Sequence, residues 1–396
     1  MDTRLPQGVI GGMYGDEGKG MMTCLLAQDM LARHGRCTVT RFNSSAQAGH
    51  TVEIDGKRHV FHHLGSGALV GANTFLGARF VAHPMLFHAE ADRLEFMGAN
   101  TEVLIDPRCH VATPYDVMIN QAIEKQRGNG RHGSCGIGFG ETIERAEKAN
   151  LVITVADLLH PRKTQAILDD IRGEYLPKRM QSLGLAIDCL DAWRMNDEVL
   201  ERFMDDAAMF MRRVKLTSPG SLHSSIVFEG AQGLALDQDL GHFPYVTRSK
   251  TGLPYLVEIC EEAGIDAVQL NYGTRAYTTR HGAGPLENEG VGEIPPGFKD
   301  DTNLPNDYQG NIRIAPLDPV RFSQLVADDL ARNETTVSVS HGIWVSCLDQ
   351  MRETCPLADG SATRTKELPG MLRKQGAMWA SEGWGPDIAN WTLARP

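Results

Sequence analysis

Apolar residues in this chain fall into short runs that alternate with helical spacing. Val9-Ile10 reads as a strand, and Met21, Leu25, Leu26, Met30 and Leu31 follow at helical steps. Arg36 to Phe42 predicts a second strand. Glu53 to Val60 predicts a hairpin around Asp55-Gly56, with Val60 to Leu64 as its return. Phe75 to Val81 and Thr101 to Ile105 are strand-like, with a helix from Met85 to Leu94 and a Gly98 stop between them. Leu158 to Met211 is helical with few turn signals and reads as an insertion over about 158–215. Ser225 to Phe228 and Ala267 to Leu270 are buried strands by pattern. A helix runs through Phe322 and Leu325, and Thr336–Val339 and Gly342–Val345 are strand-like. Strands alternating with helices predict an α/β fold. Its central sheet is mostly parallel and flanked by helices, with irregular subdomains. No linker divides residues 1–396, so a single domain is expected.

The polar positions collect where strands end. Ile10 to Gly20 joins the first strand to the first helix through glycines, and Gly18-Lys19-Gly20 opens that helix. Strand, glycine loop and helix N-terminus together suit phosphate binding. The loop departs from a standard Walker A pattern. Five residues separate Gly12 and Gly18, Gly20 replaces the hydroxyl residue, and two acids, Asp16 and Glu17, face the expected phosphate site. Acid beside polyphosphate is unfavourable unless a metal or a proton transfer uses it. Asn43 to Val52 is a small polar loop with one imidazole, His50. Arg127 to Gly140 holds six glycines and suits a ligand-ordered loop. Glu229 to Gly233 sits at a strand's C-terminal end, where ligands bind in open α/β sheets. Pro244 to Lys250 is rich in hydroxyl and cationic groups that suit phosphate, and Thr274 to Pro285 is another polar loop.

Composition narrows the reading. The chain has 396 residues and a net charge of −11, which argues against general attraction to nucleic acid. Eight scattered cysteines include no CxxC pair, so zinc and disulfide frameworks are not expected and reduced thiols fit. No apolar run reaches membrane-spanning length, and Met1 to Gln7 is too polar for a signal peptide. A cytoplasmic location is expected.

Five blocks then make a family pattern. Tyr14-Gly15-Asp16-Glu17-Gly18-Lys19-Gly20 resembles the signature loop of adenylosuccinate synthetases. So do Gln47-Ala48-Gly49-His50-Thr51, Phe228 to Gly233, Pro244 to Thr247 and Thr279 to Pro285, in family order. The resemblance implies a ligase with a P-loop-like fold, Mg²⁺ and a nucleoside triphosphate. Asp16 would take a proton from N1 of a 6-oxopurine nucleotide, whose oxygen 6 then attacks the γ-phosphate. His50 would stabilise the transferring group, and aspartate's amine would displace phosphate from C6. Gln232 joins Asp16 and His50 as catalytic residues on this reading. The resemblance assigns the triphosphate to Gly15, Glu17, Gly18, Lys19, Gly20, Gly49, His50, Thr51 and Trp384-Gly385-Pro386. It assigns Asp16 and Gly49 to magnesium, and Gly310 and Arg313 to aspartate. The monophosphate falls to Asp16, Ser45, Gln47, Ser134, Cys135, Gln232, Thr247 and Asn311. A homodimer is implied, with Arg145 or Lys148 crossing to the neighbour's nucleotide phosphate.

The departures point to a branch of the family. Ser44-Ser45 stand for two glycines, Gln47 for Asn and Ser134-Cys135 for Thr-Thr. Asn311 replaces an arginine directed at the ribose. The block that reads guanine of GTP is not evident where a strand ends Ser338 to Gly342; a second register, Ser346-Cys347-Leu348-Asp349, keeps an Asp. These features, with the Trp384-Gly385-Pro386 ending, resemble the phage branch. Its members join aspartate to dGMP, typically with ATP, for 2-aminoadenine DNA, in host cytoplasm. Many of them lack the loop Asp, which is present here as Asp16. The expected substrates are therefore dGMP, L-aspartate and ATP, with IMP and GTP as the alternative. A nucleotide-binding switch without ligase chemistry is the remote alternative.

Overall fold

The computed structural model describes residues 5–128, 134–186, 190, 197–291 and 312–394. Among these, ten strands form one sheet. They are β1 (Gln7–Gly11), β2 (Thr38–Arg41), β3 (Asn73–Leu76), β4 (Val103–Ile105), β5 (Lys215–Leu216), β6 (Ile226–Gly233), β7 (Ala267–Arg275), β8 (Ser338–Ser346), β9 (Ala380–Gly383) and β10 (Trp391–Thr392). The order is β10-β9-β8-β7-β1-β6-β2-β3-β4-β5. Every pair is parallel except β9 with β10.

The strands are apolar on both sides because both faces are covered. Successive residues join different clusters. Val9 and Val227 pack with Met22, Leu26 and Phe61, whereas Ile10 and Phe228 pack with Leu270, Phe322 and Leu325. Helix α1 (Lys19–His34) buries Met22, Leu26 and Met30 and stops at Gly35, which takes the left-handed conformation glycine favours. The helical insertion holds helices Pro161–Asp170, Leu176–Ser182 and Asp197–Arg213, and a π-helical turn, Ile171–Tyr175.

A parallel sheet with β1 at its centre brings many loops to one edge. The C-terminal ends of β1, β2, β6, β7 and β8 all open there, and they carry the polar stretches that the sequence marks. Several strand bounds differ from the pattern. Glu229 to Gly233 is the end of β6, not a loop after it, and β7 runs on to Arg275. The two strand-like runs near 340 are one strand that ends at Ser346. Its pairing with β7 extends residue by residue from Ala267↔Ser338 to Arg275↔Ser346. Buried strands lack the polar alternation that would mark their limits. The hairpin return is Lys57–Phe61 instead of Val60 to Leu64, set by positive φ at Asp55 and Gly56. The segment Phe75 to Val81 divides into β3 and a two-residue strand, Val81–Ala82.

Candidate active site

The glycine loop is built around its own second acid. Glu17 is buried, and its Oε1 accepts from the backbone N–H of Met13 (3.2 Å) and Gly15 (2.7 Å). Lys19 Nζ lies 3.2 Å from Glu17 Oε2 and donates to the Gly15 carbonyl at 2.5 Å. Glu17 therefore does not face open phosphate space; it fills the amide cradle and pins the loop. Trp344 Nε1 and Ser346 Oγ, both on β8, donate to the Glu17 carbonyl at 2.7 and 3.0 Å. Gly15 has φ +102, and a Cβ there would meet the Gln232 backbone at 3.0 Å, so the loop lies against the end of β6.

Asp16 points the other way and stays partly exposed. Arg275, the last residue of β7, reaches it with Nη2 2.5 Å from Oδ2, and its Nε donates to the Asp16 carbonyl. His281 Nε2 lies 3.9 Å from the same carboxylate. Arg280 holds the neighbouring loops together. It donates to the carbonyls of Ala283 (3.1 Å), Pro285 (2.7 Å) and Tyr245 (3.1 Å), and its guanidinium stands over the Tyr14 ring.

His50 opens the hairpin strand His50–Ile54, which packs on the start of α1: a Cβ on Gly20 would meet the Thr51 carbonyl at 2.8 Å. Its Nδ1–H donates to Glu229 Oε1 at 2.6 Å. Burial pushes the His50 imidazole down to about 4, against the pull of Glu229. A neutral His50 with Nδ1–H given to a carboxylate leaves Nε2 as a proton acceptor. Glu229 also takes the backbone N–H of Ser66 at 3.0 Å and the Ser66 hydroxyl, so both its oxygens are hydrogen-bonded.

Asp16, His50, Arg280 and His281 share one cavity of about 770 Å³. Gly15, Asp16, Gln47, Gly49, His50, Thr51, Ser134, Cys135, Gln232 and Thr247 all line it. Gln232 does so with φ +67, an uncommon backbone for a residue with a Cβ and one often found at functional sites. Gln47 donates from Nε2 to Ser44 Oγ (3.0 Å) and Thr247 Oγ1 (3.4 Å). Glu17, Gly18, Lys19 and Gly20 lie behind the cavity wall at the start of α1. Trp384-Gly385-Pro386 does not line the cavity; its turn is joined to that helix start by Trp391, which donates to the Gly385 carbonyl and would touch a Cβ on Gly18. Ser45 is buried with its hydroxyl unpartnered.

Arg145 does not fit the role of a crossing cation. It is 1% exposed and locked to Asp116 by two bonds of 2.9 Å, with further donation to the Leu151 and Val111 carbonyls. Freeing it would strand a buried carboxylate, a cost of about 3–5 kcal/mol. Lys148 is exposed and outside the cavity wall. Arg313 donates to the carbonyls of Gly282 (3.0 Å) and Gly284 (2.7 Å) and pairs with Glu289 at 2.9 Å. It pairs in register with Arg280 and so stands beside the cavity's loop wall. Gly310 and Asn311 lie outside the described residues.

Among the described residues no group of three or more His, Cys, Asp or Glu could cage a metal. That donor set still fits magnesium, which takes one or two protein oxygens and completes its octahedron with phosphate and water. Asp16 and Gly49, which both line the cavity, are the residues that would hold it. Bound there, magnesium would neutralise charge on a triphosphate.

A family model described as adenylosuccinate synthetase matches residues 8–302. The chain belongs to the adenylosuccinate synthetase family. Curated adenylosuccinate synthetases from Neisseria gonorrhoeae and Nostoc punctiforme are 33% and 32% identical to it, each over 299 residues. Those alignments cover 73% and 72% of this chain, but 66% and 63% of the relatives, so the chain spans just under two thirds of their length. A fully ligated adenylosuccinate synthetase from Plasmodium falciparum shares the fold with a TM-score of 0.73 at 18% identity. That match covers 98% of this chain and 100% of the other. A cyanophage S-2L succinoaminodeoxyadenylate synthetase, bound to dGMP and dATP, gives 0.57 at 16% identity, covering 98% and 95%. At these identities the structural likeness speaks for the fold alone.

For this member of the adenylosuccinate synthetase family, the sequence reading of site residues omitted Glu229, Ser66, Arg275 and Arg280. Glu229 carried a usable signal: one acid inside a buried apolar strand must have a partner. Ser66 and Arg275 carried none, because only folding brings Ser66 to Glu229 and Arg275 to Asp16. Among the described residues no helix is long and apolar enough to cross a membrane.

Proposed function

We propose that this chain is a C–N ligase that joins L-aspartate to C6 of a 6-oxopurine nucleoside monophosphate at the expense of a nucleoside triphosphate. The observation that carries this reading is the convergence of Asp16, His50 and Gln232 on one cavity beside a helix N-terminus. Asp16 accepts the N1 proton, and Arg275 fixes its carboxylate in place. Oxygen 6 forms a bond to the γ-phosphorus as the β–γ bridge breaks and the diphosphate leaves. His50, backed by Glu229, meets the charge that builds on the transferring group. An arriving phosphoryl dianion favours proton uptake at its Nε2. Aspartate's amine then bonds to C6, the C–O bond breaks, and phosphate departs with oxygen 6. Arg313 clamps the aspartate carboxylate.

Within this reaction dGMP is the proposed monophosphate. Gln47 spends its amino group on Ser44 and Thr247, which leaves Oε1 to accept from a 2-amino group. Asn311, where the family carries a ribose-directed arginine, supports the same choice. IMP is the second reading, favoured by the name of the curated relatives. The donor reading moves from ATP to GTP. Strand β8 ends at Ser346 against the glycine loop, which supports the register Ser346-Cys347-Leu348-Asp349 with Asp349 as the guanine-reading acid. A homodimer is proposed, with Lys148 the remaining candidate to cross it.

The test is aspartate-dependent phosphate release and formation of the succino product, with dGMP and IMP each paired with ATP and GTP. Turnover of dGMP above IMP is expected. Turnover of IMP alone would overturn the dGMP choice. Triphosphate binding with no aspartate-dependent release would overturn the ligase and favour a nucleotide switch.

A further inference from the structure

A nucleoside monophosphate brings a dianion into this cavity; of the two crossing cations expected from the sequence, Arg145 is locked to Asp116 and Lys148 lies outside the cavity lining. We propose that Arg248 of this same chain takes the 5′-phosphate, an inference that rests on reading the cavity as a purine-nucleotide site.

Arg248 follows Thr247 in the loop that closes the cavity, and both line it. The loop is closed at its base: the Thr251 N–H donates to Asp237 Oδ2 at 2.6 Å and the Gln238 N–H to the Ser249 carbonyl at 3.2 Å. Only the side chain of Arg248 has to move. At present it lies against the helix Phe139–Ala149, with Nη1 on Glu144 and Nη2 2.7 Å from Glu147.

Among the described residues, four arginines line the cavity, and their partners separate them. Arg280 is buried and committed to three carbonyls. Arg127 neutralises Glu124, whose side chain is 1% exposed. Arg179 makes two bonds of 2.9 Å to Glu141, which is 9% exposed. Withdrawing either of the last two would leave a buried carboxylate without its cation. Arg248 differs. Glu144 keeps Arg179, at 3.3 Å, when Arg248 leaves, and Glu147 is 58% exposed and returns to water. An exposed pair is weak enough to exchange for a phosphate. The guanidinium fork then binds two phosphate oxygens at once.

Calorimetric titration of wild type, R248A, R248K and E147Q with dGMP and IMP, and with deoxyguanosine and inosine, tests this. R248A is expected to weaken both monophosphates about 10–100-fold and to leave the nucleosides within about twofold, as loss of a charge-assisted contact requires. R248K should fall between, keeping charge without the fork. E147Q should tighten the monophosphates by about two- to fivefold, since it removes a competitor for Arg248. In turnover, R248A should raise KM for the monophosphate with kcat and the aspartate KM near wild type. Equal effects of R248A on nucleotide and nucleoside, or no effect on either, would overturn the assignment while the ligase reading stands. A wild-type chain that binds neither monophosphate would overturn both.

Discussion

Arg275 grips Asp16 twice, through the carboxylate and through the backbone carbonyl. One residue at the end of β7 thus sets both the position of the loop and the direction of its acid. Asp16→Asn is expected to lower kcat by about 10³-fold, within the range for loss of a general base, with monophosphate affinity changed only a few-fold. Arg275→Met should lower kcat by about 10–100-fold because a misplaced base reacts slowly. Near-normal turnover in Asp16→Asn would remove Asp16 from the chemistry.

Glu229 separates orientation from charge at His50. Glu229→Gln keeps an acceptor for Nδ1–H but removes the negative charge that supports an imidazolium. Its kcat should fall about 10–100-fold, the effect expected when a group that orients and charges an active-site histidine is altered. Glu229→Ala should add a loss of about 1–3 kcal/mol in urea unfolding, since the Ser66 N–H and His50 are left unpaired. Wild-type kcat in Glu229→Gln would show that the charge is not used.

Burial drives His50 and His83 from an ordinary value of 6.5 down to about 4. Between those values the unfolded chain binds more protons than the folded one. Stability is therefore complete above about pH 6.5 and falls as pH drops toward 4, by at most about 1.4 kcal/mol per pH unit for each histidine. Asp329, raised to about 6 by burial, works in the opposite sense over part of that window. Denaturant unfolding at pH 7 and pH 5 should show the loss, and His83→Asn should flatten the slope. Equal stability at both pH values would contradict it.

Gly273 pairs with Gly11, accepts the Gly12 N–H at 2.8 Å where the loop begins, and also packs under the Trp344 indole. A Cβ on Gly273 would meet Trp344 Cζ2 at 1.9 Å, and Trp344 holds the Glu17 carbonyl. Gly273→Ala should cost about 1–3 kcal/mol through overpacking and raise the triphosphate KM, because the indole leaves the loop. Unfolding and triphosphate titration check this together; a loss of stability with unchanged triphosphate affinity would sever the link.

Residues close in sequence were the legible part of the site. The loop from Gly15 to Gly20, the Gln47 to Thr51 block and Gln232 declare themselves because turn geometry and small size are local demands. Glu17 was misjudged from the same stretch. Spacing put it beside phosphate, but folding turned it into the amide cradle. Arg145 was misjudged likewise, since nothing near it in sequence reveals Asp116, 29 residues away.

The sequence alone determined the alternation of strand and helix, the parallel sheet and the family, because periodicity and loop chemistry are written over short spans. The tertiary structure decided which charges are available. Arg275 fixes Asp16 at the cavity, Glu229 orients His50 through Nδ1, and Arg248 is held by acids that can release it. Each of those facts depends on a partner more than a hundred residues away or on burial. Both arise only when the sheet brings its strand ends to one edge.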